Sequence, residues 1–261
     1  MKKRKVSPQS GKKWMILTAV TLVVAVVLIV FFIQWRSARE EQEKVDKGVA
    51  YLTKLEKQNV SEIGKSIDEI RAEQNLALAD SDESAVWSSF ENAAVLGDSR
   101  AVGFSFHEFL PEDRVMAQGG GKITDLPQYY DQLKALKPKA VLLCFGLNDV
   151  GIGLWPTGEE YAAECDKQIA ALQAELPDAT IYLNSILPAV GVGLEADPDY
   201  PRIGEYNEAM KTMAEEKCYH FIDNTQMAQE HQDLYQEDGL HVQPDFYKYW
   251  AANMMAGVNE S

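Results

Sequence analysis

The chain has 261 residues, 46% of them hydrophobic and 25% charged, which excludes a fully disordered or collagen-like protein. Its formal net charge is −15, but residues 1–40 hold 8 of the 25 Lys/Arg and a single acid, leaving 17 basic and 39 acidic residues, a balance of −22, in the rest. So acidic a body repels nucleic acid and anionic lipid surfaces, and its three cysteines (Cys144, Cys165, Cys218) follow no metal-ligand or disulfide-framework spacing.

Trp14–Ile33 (WMILTAVTLVVAVVLIVFFI) is a run of 20 residues without a charge. As a helix it is about 30 Å long, the thickness of a bilayer's hydrocarbon core. Six basic residues precede it, in Lys2–Lys5 and at Lys12 and Lys13; Arg36 and Arg39 follow and are soon diluted by Glu40, Glu41 and Glu43. That asymmetry predicts a cytoplasmic basic tail (1–13), a transmembrane signal anchor (14–33) and a body outside the cell. A cleaved secretory signal fits less well, because the apolar run exceeds an h-region and no A-x-A site follows.

Residues 34–86 read as a helical stalk or linker. Arg36–Asn75 lacks proline and is rich in Glu, Lys and Gln. Apolar positions fall at Val45, Val49, Leu52 and Leu55, then at Val60, Ile63, Ile67 and Ile70, with the phase interrupted at Asn59–Ser61. Two readings fit: a coiled coil that makes a homodimer through the stalk, or a helical pair that packs on or spaces the body. Ala79–Ser84 reads as a flexible joint.

After Val86 short apolar runs alternate with helical stretches. Strands are predicted at Ala93–Leu96, Arg114–Ala117, Ala140–Phe145, Thr180–Ser185 and His220–Ile222. Helices are predicted at Ala101–Phe109, Leu126–Leu136, Gly158–Glu175, Tyr206–Lys217 and Pro244–Met255. This alternation implies a parallel sheet covered on both faces, with ligands outside the carboxyl ends of its strands. The residues just after each strand are therefore the candidates: Gly97-Asp98-Ser99-Arg100, Gly146-Leu147-Asn148-Asp149, and Asp238-Gly239-Leu240-His241 before the last helix. Each alone has a plain structural explanation, as a helix cap, a turn or an ordinary histidine. Together they supply the parts of an acyl-transfer site.

With those blocks the domain over 87–261 resembles the SGNH/GDSL hydrolase superfamily of serine esterases. The resemblance implies a three-layer α/β/α sandwich around a five-stranded parallel sheet, flavodoxin-like in order. It implies Ser99 as nucleophile and His241 and Asp238 as the rest of the triad. The oxyanion hole would come from the backbone of Ser99, a glycine after the second strand, and Asn148. Gln118-Gly119-Gly120-Gly121 offers three glycines; Gly120 is favoured, with Gly119 the competing alignment. Arg100 stands where the family name has leucine and would put a cation beside the pocket.

The chemistry is consistent with those roles. A serine hydroxyl needs a base, neutral imidazole can take and return its proton, and a carboxylate three residues away can orient the ring. No metal or other cofactor is required. Gly151–Pro156 and Ala189–Asp199 are loop-like and expected to wall the pocket, with Trp155 either packing or stacking on a sugar ring. Asn207 is expected to fix a loop. Cys165 and Cys218 pair outside the cell or remain as thiols. A membrane-tethered esterase on a helical spacer suits O-acyl (O-acetyl) groups on peptidoglycan or another cell-wall glycan. Acyl transfer to a sugar hydroxyl passes through the same acyl-serine. A scaffold or glycan-binding protein with a vestigial site is the reading from a different class.

Overall fold

The computed structural model describes residues 82–259 continuously, together with residues 35, 36, 39, 47, 77, 79 and 80. The chain divides into two units, Met1–Ile67 and Asp68–Ser261, and the sheet and all candidate site residues lie in the second. The expected basic tail, the membrane segment and most of the stalk lie outside the described residues. Among the described residues no helix is long and apolar enough to cross a membrane.

Five strands, β1 (Ala93–Gly97), β2 (Val115–Ala117), β3 (Ala140–Cys144), β4 (Thr180–Asn184) and β5 (His220–Ile222), form one sheet in the order β2-β1-β3-β4-β5. Every pairing is parallel, with Leu96 beside Met116 on one side and Leu143 on the other. Both central strands, β1 and β3, are buried along their whole length, which is why they read as unbroken apolar runs rather than as alternating patterns. The strand order reverses direction between β1 and β3, so the crevice for a ligand lies at their carboxyl ends.

Period-two alternation divides the strand side chains between two cores. Ala94, Leu96, Val141, Leu143, Ile181 and Leu183 pack with α5 (Gly158–Glu175) and α6 (Ile203–Lys217) through Ile169, Leu172, Tyr206 and Met210. On the opposite face Val95, Leu142, Cys144 and Tyr182 join Phe104 of α2 (Ser99–Phe106), Met227 of α7 (Thr225–Glu230), and Trp250 and Met254 of α8 (Phe246–Asn259). The α/β/α layering expected from the sequence is present.

Two local differences have clear causes. The stretch expected as one helix over Leu126–Leu136 is a 3-10 segment, Ile123–Tyr129, followed by α3 (Tyr130–Leu136). Pro127 sits inside it, has no N–H to give, and delays the α-helix. The joint expected at Ala79–Ser84 is instead docked on the domain. Ala79 is buried, Asp80 accepts a 2.7 Å hydrogen bond from the Tyr249 hydroxyl, and α1 (Glu83–Ser88) is capped by the Asp82 side chain and buries Val86.

Candidate active site

Ser99 is the first residue of α2, reached by a turn straight out of β1. That turn has room only for glycine at Gly97, where a Cβ would lie 2.6 Å from that of Ala101 and closer still to the Cys144 carbonyl oxygen. Asp98 caps the helix, its Oδ1 accepting from the Arg100 backbone N–H at 3.0 Å. The helix start leaves the Ser99 amide at the positive end of α2.

His241 comes from the loop that the Tyr235–Val242 bridge closes, just ahead of α8. The Ser99 hydroxyl and His241 Nε2 are 3.0 Å apart, and His241 Nδ1 lies 2.6 Å from Asp238 Oδ2. The short contact to the carboxylate fixes the proton of a neutral ring on Nδ1, leaving Nε2 to accept from the serine. Asp238 is itself held, because its Oδ1 accepts from the backbone N–H groups of Leu240 and His241, both at 2.9 Å. Burial works against its charge, but the hydrogen bonds from the His241 ring and from these two amides outweigh it and hold the carboxyl below its usual value. The loop is tied to its neighbour by the Val190 N–H donating to the Gly239 carbonyl at 2.9 Å.

Asn148 belongs to a short helix, α4 (Leu147–Gly151), that begins directly after β3. Its Nδ2 donates to the Gly121 carbonyl at 3.1 Å, leaving the second amide hydrogen for another acceptor. The Leu147 N–H donates to Asp98 Oδ2 at 3.3 Å, which joins the β3 loop to the serine turn.

Among the three glycines Gly119 and Gly120 are exposed, with nothing within 4 Å of where a Cβ would stand, and Gly120 has φ +72°. Gly121 is buried. A Cβ there would stand 2.9 Å from the Gly97 carbonyl oxygen, 3.0 Å from that of Gln118 and 3.4 Å from Asp98 Cα. The Gly121 N–H donates to the Gln118 carbonyl at 3.1 Å, whereas no backbone acceptor among the described residues engages the amides of Gly119 and Gly120. Gly121 thus seats the loop on the serine turn, a role the sequence did not single out within the run of three.

One expected substrate contact is corrected. Arg100 does not offer a cation to the pocket: it is 3% exposed, pairs with Asp98 at 3.3 Å, and donates to the Leu187 carbonyl at 2.7 Å. An arginine two residues after a buried aspartate finds its partner inside the fold, so it braces the serine turn. Of the two roles open to Trp155 the structure shows the packing one: it lies half-buried against the core, its ring 5.5 Å from that of Tyr161. Asn207 does fix a loop, exchanging hydrogen bonds with the Ile186 backbone at 2.8 and 2.9 Å. The loops after β3 and β4 expose Ile152, Leu154, Val192 and Leu194. All three cysteines are free thiols, with Cys144 and Cys165 buried and Cys218 exposed.

The acid that ends the candidate block after β3 has surroundings that the sequence did not reveal. Asp149, next to Asn148, has no exposed surface; its Oδ1 accepts from the Ile123 N–H at 2.9 Å while Oδ2 is buried without a partner. Burial, with a smaller push from Asp98, outweighs the Ile123 hydrogen bond and raises its carboxyl to about 7.

The GDSL-like lipase/acylhydrolase family model matches residues 91–249. The chain belongs to that family. It is an α/β serine ester hydrolase of the SGNH/GDSL type. Solved structures with the same fold include a lipase/acylhydrolase from Enterococcus faecalis, at 19% identity and TM-score 0.52, covering 65% of this chain and 96% of that one. A GDSL-like lipase from Bacteroides thetaiotaomicron shares 19% identity at TM-score 0.51, covering 74% and 97%. A catalytic mutant of an acetylxylan esterase from Geobacillus stearothermophilus shares 19% identity at TM-score 0.50, covering 64% and 93%. No curated protein sequence matches the chain significantly.

Proposed function

We propose that this hydrolase removes O-acyl groups, O-acetyl above all, from cell-wall glycan or peptidoglycan, with Ser99 as nucleophile, His241 as general base and acid, and Asp238 as the group that orients the ring. The observation that carries this reading is the relay of 3.0 Å from Ser99 to His241 and 2.6 Å from His241 to Asp238. In the first half-reaction the Ser99 oxygen bonds to the ester carbonyl carbon and its proton passes to Nε2. The tetrahedral intermediate then collapses, and His241 returns the proton to the departing sugar oxygen. Water, deprotonated by the same Nε2, repeats the attack on the acyl-serine and frees the acid. The developing oxyanion would be met by the Ser99 amide, the Gly120 amide and the free hydrogen of Asn148.

The location is part of the proposal. The uncharged run 14–33, with its basic flank inside, would anchor the chain in the cytoplasmic membrane and leave the hydrolase outside. If residues 36–74 form one helix, its 39 residues would span about 58 Å and hold the site well off the lipid. The acetylxylan esterase among the structural neighbours supports a carbohydrate ester as the substrate class. The same acyl-serine also serves transfer to a sugar hydroxyl, which would appear as acylated sugar when acceptor is supplied.

The test has two arms. Purified full-length protein, compared with Ser99→Ala, is assayed for acetate release from O-acetylated peptidoglycan; release by the unaltered protein alone supports the reading, and p-nitrophenyl acetate turnover without release from the glycan refutes the substrate. Protease added to intact cells should remove the domain and leave a small N-terminal fragment. A protected domain refutes the anchor.

A further inference from the structure

Three consecutive residues after β3 each hold a different piece of the site. The Leu147 N–H reaches Asp98 beside the serine, the Asn148 side chain reaches the Gly121 carbonyl, and the Asp149 side chain reaches the Ile123 N–H. Gly121 and Ile123 are two residues apart, joined through Lys122 in extended conformation (φ −128°, ψ 159°). Neighbouring side chains on a helical turn point about 100° apart, so Asn148 and Asp149 can grip one short extended segment at both ends.

We propose that Asp149 is a positioning residue, the second jaw of a clamp that fixes the Gly121–Ile123 segment and thereby places the Asn148 amide for the oxyanion. This rests on the esterase reading of Ser99 and His241. Without Asp149 the β3 loop holds the segment only through Asn148 at Gly121, because the other side-chain contact, from the Lys122 N–H to Asp125 Oδ2 at 2.9 Å, comes from the 3-10 segment itself and moves with it. The Asn148 amide would then follow its acceptor instead of holding a set position. Catalysis is sensitive to such shifts, since a misplacement of about 1 Å can cost about 100-fold in rate.

The placement of the acid argues against simple core filling. Asp149 is fully buried, one oxygen is bonded to the first amide of the 3-10 segment, and the other has no partner. A side chain chosen only for packing at this position would be apolar. What the carboxyl adds is an acceptor for an amide at a helix start, which has no partner within its own helix.

The experiment measures kcat and KM for p-nitrophenyl acetate and the Ki of methylboronic acid, on full-length protein. The boron accepts the Ser99 oxygen and becomes a tetrahedral anion while the serine proton moves to His241, so Ki reports on the oxyanion site. Asp149→Ala is expected to lower kcat by about 10- to 100-fold and raise Ki by a similar factor, with KM within about threefold. Asp149→Asn keeps an oxygen for the Ile123 N–H and is expected to recover most of the loss. Ile123→Pro removes the N–H from the other side, and the extended Lys122 before it suits proline. It should reproduce the kcat and Ki changes, and the double variant with Asp149→Ala should be no worse than the poorer single.

Unchanged kcat and Ki in a folded Asp149→Ala, additive losses in the double variant, or equal losses in Asp149→Asn and Asp149→Ala would overturn the proposal. If Asp149→Ala does not fold, an Ile123→Pro with native kcat and Ki overturns it. An unaltered protein without turnover or boronate binding would instead overturn the esterase reading beneath it.

Discussion

Replacing Gly121 with alanine adds one methyl group where the fold has no space for it. The new carbon would stand 2.9 Å from the Gly97 carbonyl oxygen and 3.0 Å from that of Gln118, both of them backbone atoms. Restoring ordinary contact at about 3.4 Å or more requires a shift of roughly 0.5 Å, and the serine turn and the glycine loop must share it. Overpacking of this kind costs about 1–3 kcal/mol of stability, and half of a 1 Å misplacement predicts a loss of about tenfold in kcat. The neighbouring glycines are internal controls. Gly119→Ala meets nothing within 4 Å and should change stability by less than about 0.5 kcal/mol. Gly120→Ala also has open space but sits at φ +72°, so it should cost about 1–2 kcal/mol from backbone strain alone. Urea unfolding and p-nitrophenyl acetate turnover of the three variants give the order directly. If Gly121→Ala retains native stability and turnover, or if Gly119→Ala is the most damaging, the seating of the loop on the serine turn is wrong.

Asn148→Ala should lower turnover by about 10²–10³ while Ser99 remains reactive towards a phosphonate, because one oxyanion donor is lost and the nucleophile is not; equal loss of both would refute the donor role. Arg100→Leu leaves the fully buried Asp98 without its ion-pair partner and should destabilise by about 3–5 kcal/mol, seen as a fall in Tm of roughly 6–20 °C; an unchanged Tm would contradict the bracing role. Asp149 predicts a pH dependence of stability with a definite sign. Between the ordinary aspartate value near ~4 and about 7, the folded chain keeps a proton that the unfolded chain has lost, so this group's contribution falls as pH rises through that window and is flat above it. Asp149→Asn should therefore gain Tm relative to the unaltered protein from pH 4.5 to 7.5, and parallel curves would refute the burial of the acid.

The parts of the site that were legible in the sequence are polar residues placed directly after unbroken apolar strands, and Ser99 and Asn148 stand at the ends of the two strands where the sheet order reverses. Asp238 and His241 were legible as a pair because three residues of loop suffice for a carboxylate to hold both a ring nitrogen and the ring's own backbone amide. Gly121 was not, since what forbids a side chain there is a carbonyl from β1, 24 residues earlier in the chain. Arg100 was misread as a pocket cation because its charge is visible in sequence and its burial against Asp98 is not. The docked segment at Ala79–Asp80 was equally hidden, its partners Lys248 and Tyr249 lying on the last helix.

The most direct measurement of the central claim is where an active-site phosphonate attaches. Full-length protein treated with a p-nitrophenyl phosphonate ester, digested and mapped by mass spectrometry, should carry one adduct per chain, on Ser99, formed as its oxygen bonds to phosphorus and nitrophenolate leaves. The rate should fall sharply in His241→Ala, and the adduct should be absent in Ser99→Ala. An adduct on Ser105 or Ser185, or one that persists after Ser99→Ala, would contradict the account.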